Sequence, residues 1–236
     1  MRKQGFARVT GFLLSLALCL LGLAVILEGL GTGGELMLSL MLRYAPPIST
    51  GLPEEEYPGM CRMITQYLAG NEEEFQYVLT GAGGTQYLCF HDYEQAHMAD
   101  VRSLFVLDRT VLLISAAVCA VLIALTFHIR KKKGTLQGLR DGALAVILLL
   151  LAMLVWGLAD FDGFFTMFHR LAFTNDLWLL DPATDLLIRL MPIEFFIAYA
   201  CIAVGTFLII PVLLVIVPEC ILRKERKQYA KQSDRL

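Results

Sequence analysis

Two of the four histidines sit in company that could move protons. His97 lies in Glu94-Gln95-Ala96-His97-Met98-Ala99-Asp100-Val101-Arg102 (EQAHMADVR), and on a helix Glu94, His97 and Asp100 fall at i, i+3 and i+6, close to one face. A carboxylate so placed can orient an imidazole and raise its basicity, as a general base requires. The same spacing also suits an ordinary ion-paired helix surface. His169 lies within FFTMFHRLAF (residues 164–173), an apolar setting for an imidazole. There it is either a hydrogen-bonded core group or a second proton carrier at the depth of lipid esters.

The other two histidines read as bland. His91 is at a polar loop or helix start, and His128 adjoins the basic run Arg130 to Lys133. A metal site built from His91, His97 and His169 has no supporting spacing, and no C-x-x-C pair occurs, so neither a metal nor another cofactor is expected. The G-x-x-x-x-G-K-[ST] loop, the H-E-x-x-H helix and the G-x-S-x-G elbow are all missing from the sequence. Nucleotide-driven chemistry and the standard serine or zinc hydrolase designs therefore lack support.

The elements that must position these histidines belong to a membrane. Of 236 residues, 57% are hydrophobic, and the mean hydropathy is +0.62. An all-α integral membrane protein with four spans and a small extracytoplasmic domain is the fold class this implies, because a bilayer core takes about 20 apolar helical residues. The predicted order is a cytoplasmic N-terminus (1–10), a first span (11–30), an extracytoplasmic domain (31–109) and a second span (110–127). A cytoplasmic loop (128–141), a third span (142–158), an extracytoplasmic or interfacial segment (159–192), a fourth span (193–217) and a cytoplasmic tail (218–236) follow.

Orientation comes from the basic residues. Arg2, Lys3 and Arg8, then Arg130 to Lys133 with Arg140, then Arg223, Lys224, Arg226, Lys227, Lys231 and Arg235 are fourteen of the twenty, and include every lysine. Positive residues stay inside, so both termini are expected in the cytoplasm and EQAHMADVR faces outward. The first apolar run is read as a retained anchor. No Ala-x-Ala cleavage site follows Leu27, and in the lipobox-like Leu16-Ala17-Leu18-Cys19 the position before the cysteine is not small. A transporter would carry ionisable groups deep in its spans, and these spans have essentially none.

Within the first outer segment, helices are predicted over 34–43, stopped by Ala45-Pro46-Pro47, and over 58–69. Strands at 76–80 and 86–90 flank Gly81-Ala82-Gly83-Gly84 as a hairpin, and a helix starting near Asp92 continues into span 2. Residues 161–173 suit an interfacial or re-entrant helix, Trp178 an interface anchor, and Asp181-Pro182 an N-cap with proline at the first helical position. Cys61 and Cys89 share the outer face, where a disulfide and two free thiols are both open.

EQAHMADVR before span 2, FHRLAFTNDLWLLDPATDLLIRLMP (168–192) between spans 3 and 4, and the four-span layout together resemble the lipoprotein intramolecular transacylase family of bacterial membrane proteins. The resemblance implies transfer of the sn-2 acyl chain of a diacylglyceryl-cysteine lipoprotein to its own N-terminal α-amine. The product is an N-acyl, S-monoacylglyceryl lipoprotein. It further implies no cofactor, diacylated bacterial lipoproteins and membrane lipid as partners, no nucleic acid, and the bacterial plasma membrane as location. His97 and His169 are the positions that match the family's functional histidines.

The chemistry of the residues suits that task. Ester and amine on one molecule gain from proximity. An α-amine titrates at about 8 and a histidine at about 6.5, so an imidazole can take the amine proton and return one to the departing glycerol oxygen. The expected assignment is His97 as base, oriented by Glu94 or Asp100, with His169 as second acid/base or oxyanion partner. The reverse order and an acyl-histidine intermediate are both chemically allowed. Arg102, Arg170 and Asn175 are the expected oxyanion donors. A straight helix rising about 1.5 Å per residue would lift His97 roughly 15 Å above the start of the apolar core, so the helix breaks near Arg102, the span starts earlier, or the substrate rises. The competing classes are a non-enzymatic scaffold with structural histidines and a lipid-ester hydrolase.

Overall fold

The computed structural model describes residues 2–81 and 83–233; Met1, Ala82 of the glycine turn and residues 234–236, Arg235 among them, lie outside it. In chain order the elements are α1 (Arg2–Thr32), α2 (Gly34–Tyr44), α3 (Pro47–Thr50), a 3-10 turn (Glu54–Glu56), α4 (Tyr57–Ala69), β1 (Val78–Thr80) and β2 (Gln86–Leu88). Then come α5 (Asp92–Ile129), α6 (Lys132–Ala159), α7 (Phe161–Ala172), α8 (Leu186–Leu190) and α9 (Ile193–Ser233). Among the described residues four helices, α1, α5, α6 and α9, are long and apolar enough to cross a membrane. The fold is thus an all-α four-span membrane protein with one two-stranded antiparallel hairpin, Val78 opposite Leu88.

Each long helix outruns its apolar stretch, and α9 continues through Pro211 and Pro218 into the basic tail. The consequence for the site is direct: α5 passes through Arg102 as one helix, so the break considered there does not occur.

Two compact units divide the chain. The first holds, of the described residues, 2–25, 110–161 and 205–233. Here α1 and α6 approach backbone to backbone: a Cβ added at Gly138 would meet the carbonyl oxygen of Arg8 at 2.0 Å, and one at Gly134 the carbonyl oxygen of Gln4 at 2.7 Å. Glycines spaced by four let two helices approach closely enough for their backbones to meet in van der Waals contact. In the same region Arg8 of α1 pairs with Asp141 of α6, and Arg140 and Lys132 of α6 pair with Glu219 and Glu225 of α9.

The second unit holds residues 26–109 and 162–204. Its core joins α2, α4, α8 and the start of α9 through Met41, Tyr57, Met60, Ile64, Leu190 and Phe195. Burying each such side chain contributes about 2 kcal/mol. The Tyr57 hydroxyl donates to the carbonyl of Ala45, and Gln76 braces the hairpin by accepting the amides of Tyr77, Cys89 and Phe90. Arg109 ties the unit together, binding Glu28 at 2.9 Å and the carbonyl of Leu68 at 2.8 Å. Among the described residues all six cysteines are free thiols, so Cys61 and Cys89 are not joined; Cys61 donates instead to the carbonyl of Gly34.

Candidate active site

Helix α7 is amphipathic in an inverted sense. Leu171 is 80% exposed and Phe168 50%, while His169 is buried. An imidazole turned inward on a helix whose apolar side chains turn outward fits an element lying against lipid. The Nδ1 atom of His169 is 2.8 Å from the carbonyl oxygen of Phe165, one turn earlier. A carbonyl only accepts, so Nδ1 carries the hydrogen and the neutral ring keeps its lone pair on Nε2.

His97, on α5, lies across from it with ring centroids 6.3 Å apart and planes at 30°. The edge of the pair is closed by Phe173, 5.2 Å from the His97 ring at 73° and 5.6 Å from His169. Phe165 at 4.1 Å, Phe168 at 5.2 Å and Trp178 at 5.0 Å complete the aromatic surroundings of His169. The buried Nδ1 of His97 has no hydrogen-bond partner among the described residues. A buried, unsatisfied imidazole nitrogen is costly unless another molecule supplies a partner, which marks a place for one.

Both rings are held neutral. Burial pushes His97 down to about 4, with His169 adding to the fall and the Asp100 carboxylate opposing it. Burial also lowers His169, with the bond to Phe165 working the other way. The result is two adjacent neutral imidazoles, one oriented by a backbone carbonyl and one with an unsatisfied nitrogen.

Several residues expected to assist directly are engaged elsewhere. Glu94 is fully buried and does not bond His97. Its Oε2 accepts the amide of His91 at 2.8 Å, because the third residue of a helix curls back to the residue that precedes it, and its Oε1 accepts the amide of Leu187 at 2.8 Å. Arg102 sits about 140° around the helix from His97 and places its guanidinium 4.8 Å above the ring of Tyr67. Asn175 uses Nδ2 to bind Asp100 at 2.8 Å and Oδ1 to accept the amide of Leu177, so its amide is not aimed at the rings. Arg170 is exposed. Asp100 keeps its electrostatic role toward His97.

The short helix after Trp178 starts at Leu186 rather than after Asp181. Residues 181–184 form a turn in which Asp181 Oδ1 accepts the amide of Ala183. Asp185 precedes the helix, but its oxygens take the hydroxyls of Tyr93 and Thr184 and the amide of Asp181. These donors and the nearby His91 outweigh burial and hold the Asp185 carboxyl below its ordinary range. His91, Glu94 and Asp185 offer ligand atoms within 4.8 Å of one another. With the four carboxylate oxygens occupied by five amide and hydroxyl donors, the trio is a hydrogen-bonded hub.

Phe165 and Trp178 were not foreseen as site residues. The i−4 carbonyl of a buried helical histidine is the signal that would have found the first. For the second, the Trp178 indole donates to the carbonyl of Asn175 and so is held beside His169.

The chain was compared with known proteins. The family model described as lipoprotein intramolecular transacylase Lit matches residues 11–196. Among solved structures, the membrane integral lipoprotein intramolecular transacylase Lit from Bacillus cereus is similar at 19% identity and TM-score 0.75, over 94% of this chain and 98% of that one. Two variants of that protein, with one histidine replaced by arginine or by alanine, give TM-scores of 0.69 and 0.71 at the same identity, over 94% of this chain and 95% and 96% of theirs. No curated protein matches. The family match spans most of the chain, and the four-span fold is shared with the solved structures: this protein belongs to the lipoprotein intramolecular transacylase family and is a multi-pass membrane acyltransferase acting on lipoproteins.

Proposed function

We propose that His97 and His169 carry the acyl transfer, on the extracytoplasmic face of the bacterial plasma membrane, with both termini in the cytoplasm. The distribution of lysine and arginine supports that orientation. The substrate is a diacylated lipoprotein presented in membrane lipid, and no nucleic acid takes part. In the reaction the α-amine nitrogen bonds to the carbonyl carbon of the sn-2 ester, the bond from that carbon to glycerol oxygen breaks, and one proton passes from nitrogen to the glycerol oxygen. Atoms and electrons balance without a further reactant.

The observation that carries the reading is the stacked pair with its unequal nitrogens. His169, oriented by the carbonyl of Phe165, offers Nε2 as the base that takes the amine proton and then delivers it to the leaving oxygen. His97, held neutral, serves as hydrogen-bond donor to the oxygen of the tetrahedral intermediate, as a neutral imidazole can where an imidazolium would be less well matched. This exchanges the two roles the sequence suggested, because the ring with the oriented lone pair is His169.

The test is mass spectrometry of the N-terminal peptide of a reporter lipoprotein in a host that makes only the diacylglyceryl form. Expression of this protein should yield the N-acyl, S-monoacylglyceryl cysteine. His97→Ala and His169→Ala should each abolish it with protein still in the membrane. An unchanged peptide with the parent chain would favour a scaffold, and loss of one acyl chain without gain at nitrogen a hydrolase. Normal conversion by both variants would move the site elsewhere.

A further inference from the structure

Tyr93, Glu94, His97 and Asp100 occupy one stripe of α5, within about 120° of one another at 100° per residue. His97 sits inside that stripe, and each of the other three binds the segment that follows α7. The Tyr93 hydroxyl donates to Asp185, Glu94 accepts the amide of Leu187 at 2.8 Å, and Asp100 accepts from Asn175 at 2.8 Å. Asn175 in turn holds the Trp178 indole, whose ring lies 5.0 Å from that of His169. Two of the three bonds are in partly exposed surroundings, where a hydrogen bond contributes little beyond what water offers. The third is buried. Glu94 has none of its surface exposed, and its two oxygens serve amides from two different segments, His91 at the start of its own helix and Leu187 in α8.

We propose that Glu94 is a positioning residue for acyl transfer: by pinning Leu187 to α5 one turn before His97, it sets the separation and relative tilt of His97 and His169. The inference rests on the reading of those histidines as the reacting pair. Only a carboxylate fills this role. Glutamine keeps one acceptor oxygen and turns an amide N–H₂ toward the second backbone N–H, leaving that buried amide without a partner. Two side chains that must meet one ester carbonyl are sensitive to such a change, since a displacement of about 1 Å can cost roughly a hundredfold in rate.

The experiment uses the full-length protein in detergent with Trp156→Phe, which leaves Trp178 as the one indole of the chain. Turnover of a diacylglyceryl-cysteine peptide and the pH titration of Trp178 emission, quenched by the His169 imidazolium, are read together. His97 and Asp100 on α5 and Arg170 on α7 are the charged or titratable neighbours that bear on that titration. In the parent the midpoint lies below the ordinary histidine range. Glu94→Gln should lower kcat roughly tenfold to a hundredfold with KM little changed, and should move the midpoint upward as water reaches the pair. A folded Glu94→Gln protein with parental kcat or parental midpoint overturns the proposal, even if its Tm falls, because a purely structural cap would behave so. If Glu94→Gln does not fold, Glu94→Asp keeps the carboxylate but shortens its reach to the amides of His91 and Leu187. A smaller loss of kcat with an upward midpoint is then expected, and parental values of both overturn the proposal. Conversion that survives His97→Ala and His169→Ala defeats the site reading. Loss in both with parental turnover in Glu94→Gln defeats only the positioning role.

Discussion

The imidazoles of His97 and His169 stack 6.3 Å apart, and the buried Nδ1 atom of His97 has no hydrogen-bond partner among the described residues. Aromatic side chains surround the pair, and both rings are held below the ordinary histidine range by burial. The two imidazoles proposed to carry the transfer are thereby kept in their neutral forms across the whole range in which the substrate amine changes charge.

That arrangement fixes the shape of the pH–rate profile. The free amine must be unprotonated to attack, so the rate should fall with a single unit slope as pH drops below about 8. The histidine limb follows only below about 6.5, because a lowered pKa keeps the base form available to lower pH. Initial rates with a diacylglyceryl-cysteine peptide from pH 9 down to about 5 check this. A steepening at or above 6.5 contradicts it.

Stability should respond to the same burial with a definite sign. The folded pKa of His97 is about 4, and the unfolded value about 6.5. The unfolded chain therefore takes up its proton first as pH falls. The stabilisation is complete above 6.5, is lost progressively toward 4, and has an upper bound of about 3 kcal/mol. Melting curves in detergent should show Tm falling across that window, and His97→Gln should flatten the fall. Equal slopes for parent and variant would show that His97 is not the group responsible.

Gly138→Ala should destabilise the packing of α1 on α6. The new methyl would lie 2.0 Å from the carbonyl oxygen of Arg8 and 2.7 Å from the amide nitrogen of Phe12, both backbone atoms. Overpacking of that kind costs about 1–3 kcal/mol. Gly5→Ala on α1 meets nothing within 4 Å and, by helix propensity, should gain up to about 1 kcal/mol. Thermal melts of the two variants should shift in opposite directions, and parallel shifts would reject the close-approach argument.

At Gly70 the space is open but the backbone is not. The residue caps α4 with φ +87°, and an added Cβ would meet the guanidiniums of Arg109 and Arg102 at ordinary contact distances of 3.5 and 3.7 Å. Gly70→Ala should cost about 1–2 kcal/mol from the left-handed conformation alone. Turnover per folded molecule should stay at the parental value. A matching drop in kcat would show that α4 communicates with the histidines.

Much of the fold was legible because hydrocarbon thickness dictates how long an apolar run must be, and the runs near spans 1 to 4 meet that length. The local stops at Ala45-Pro46-Pro47 and Gly70, and the hairpin about the glycine turn, are likewise encoded in neighbouring residues. What stayed hidden depends on residues far apart in the chain. Asp181-Pro182 has the signature of a helix start, yet the helix waits until Leu186, where the amide of Leu187 finds Glu94 from 93 residues away. Glu94 at i−3 from His97 looked like an orienting carboxylate, but a residue so near a helix start has free amides closer at hand. His97 and His169 stood out in the sequence by their surroundings. Which nitrogen each leaves free became readable only once the Phe165 carbonyl was in place.

The rings of Phe165, Phe168, Phe173 and Trp178 around His169 bear on product partitioning. Every acyl group that leaves glycerol has two possible acceptors, the tethered amine and water, and water is present at far higher concentration in the medium. With His169 as the proposed base, a hydrocarbon sleeve about it lowers the local activity of water while leaving the tethered amine's effective concentration untouched. On that reading, fidelity as a transferase, with few chains lost as free fatty acid, would follow from side chains that carry no proton at all.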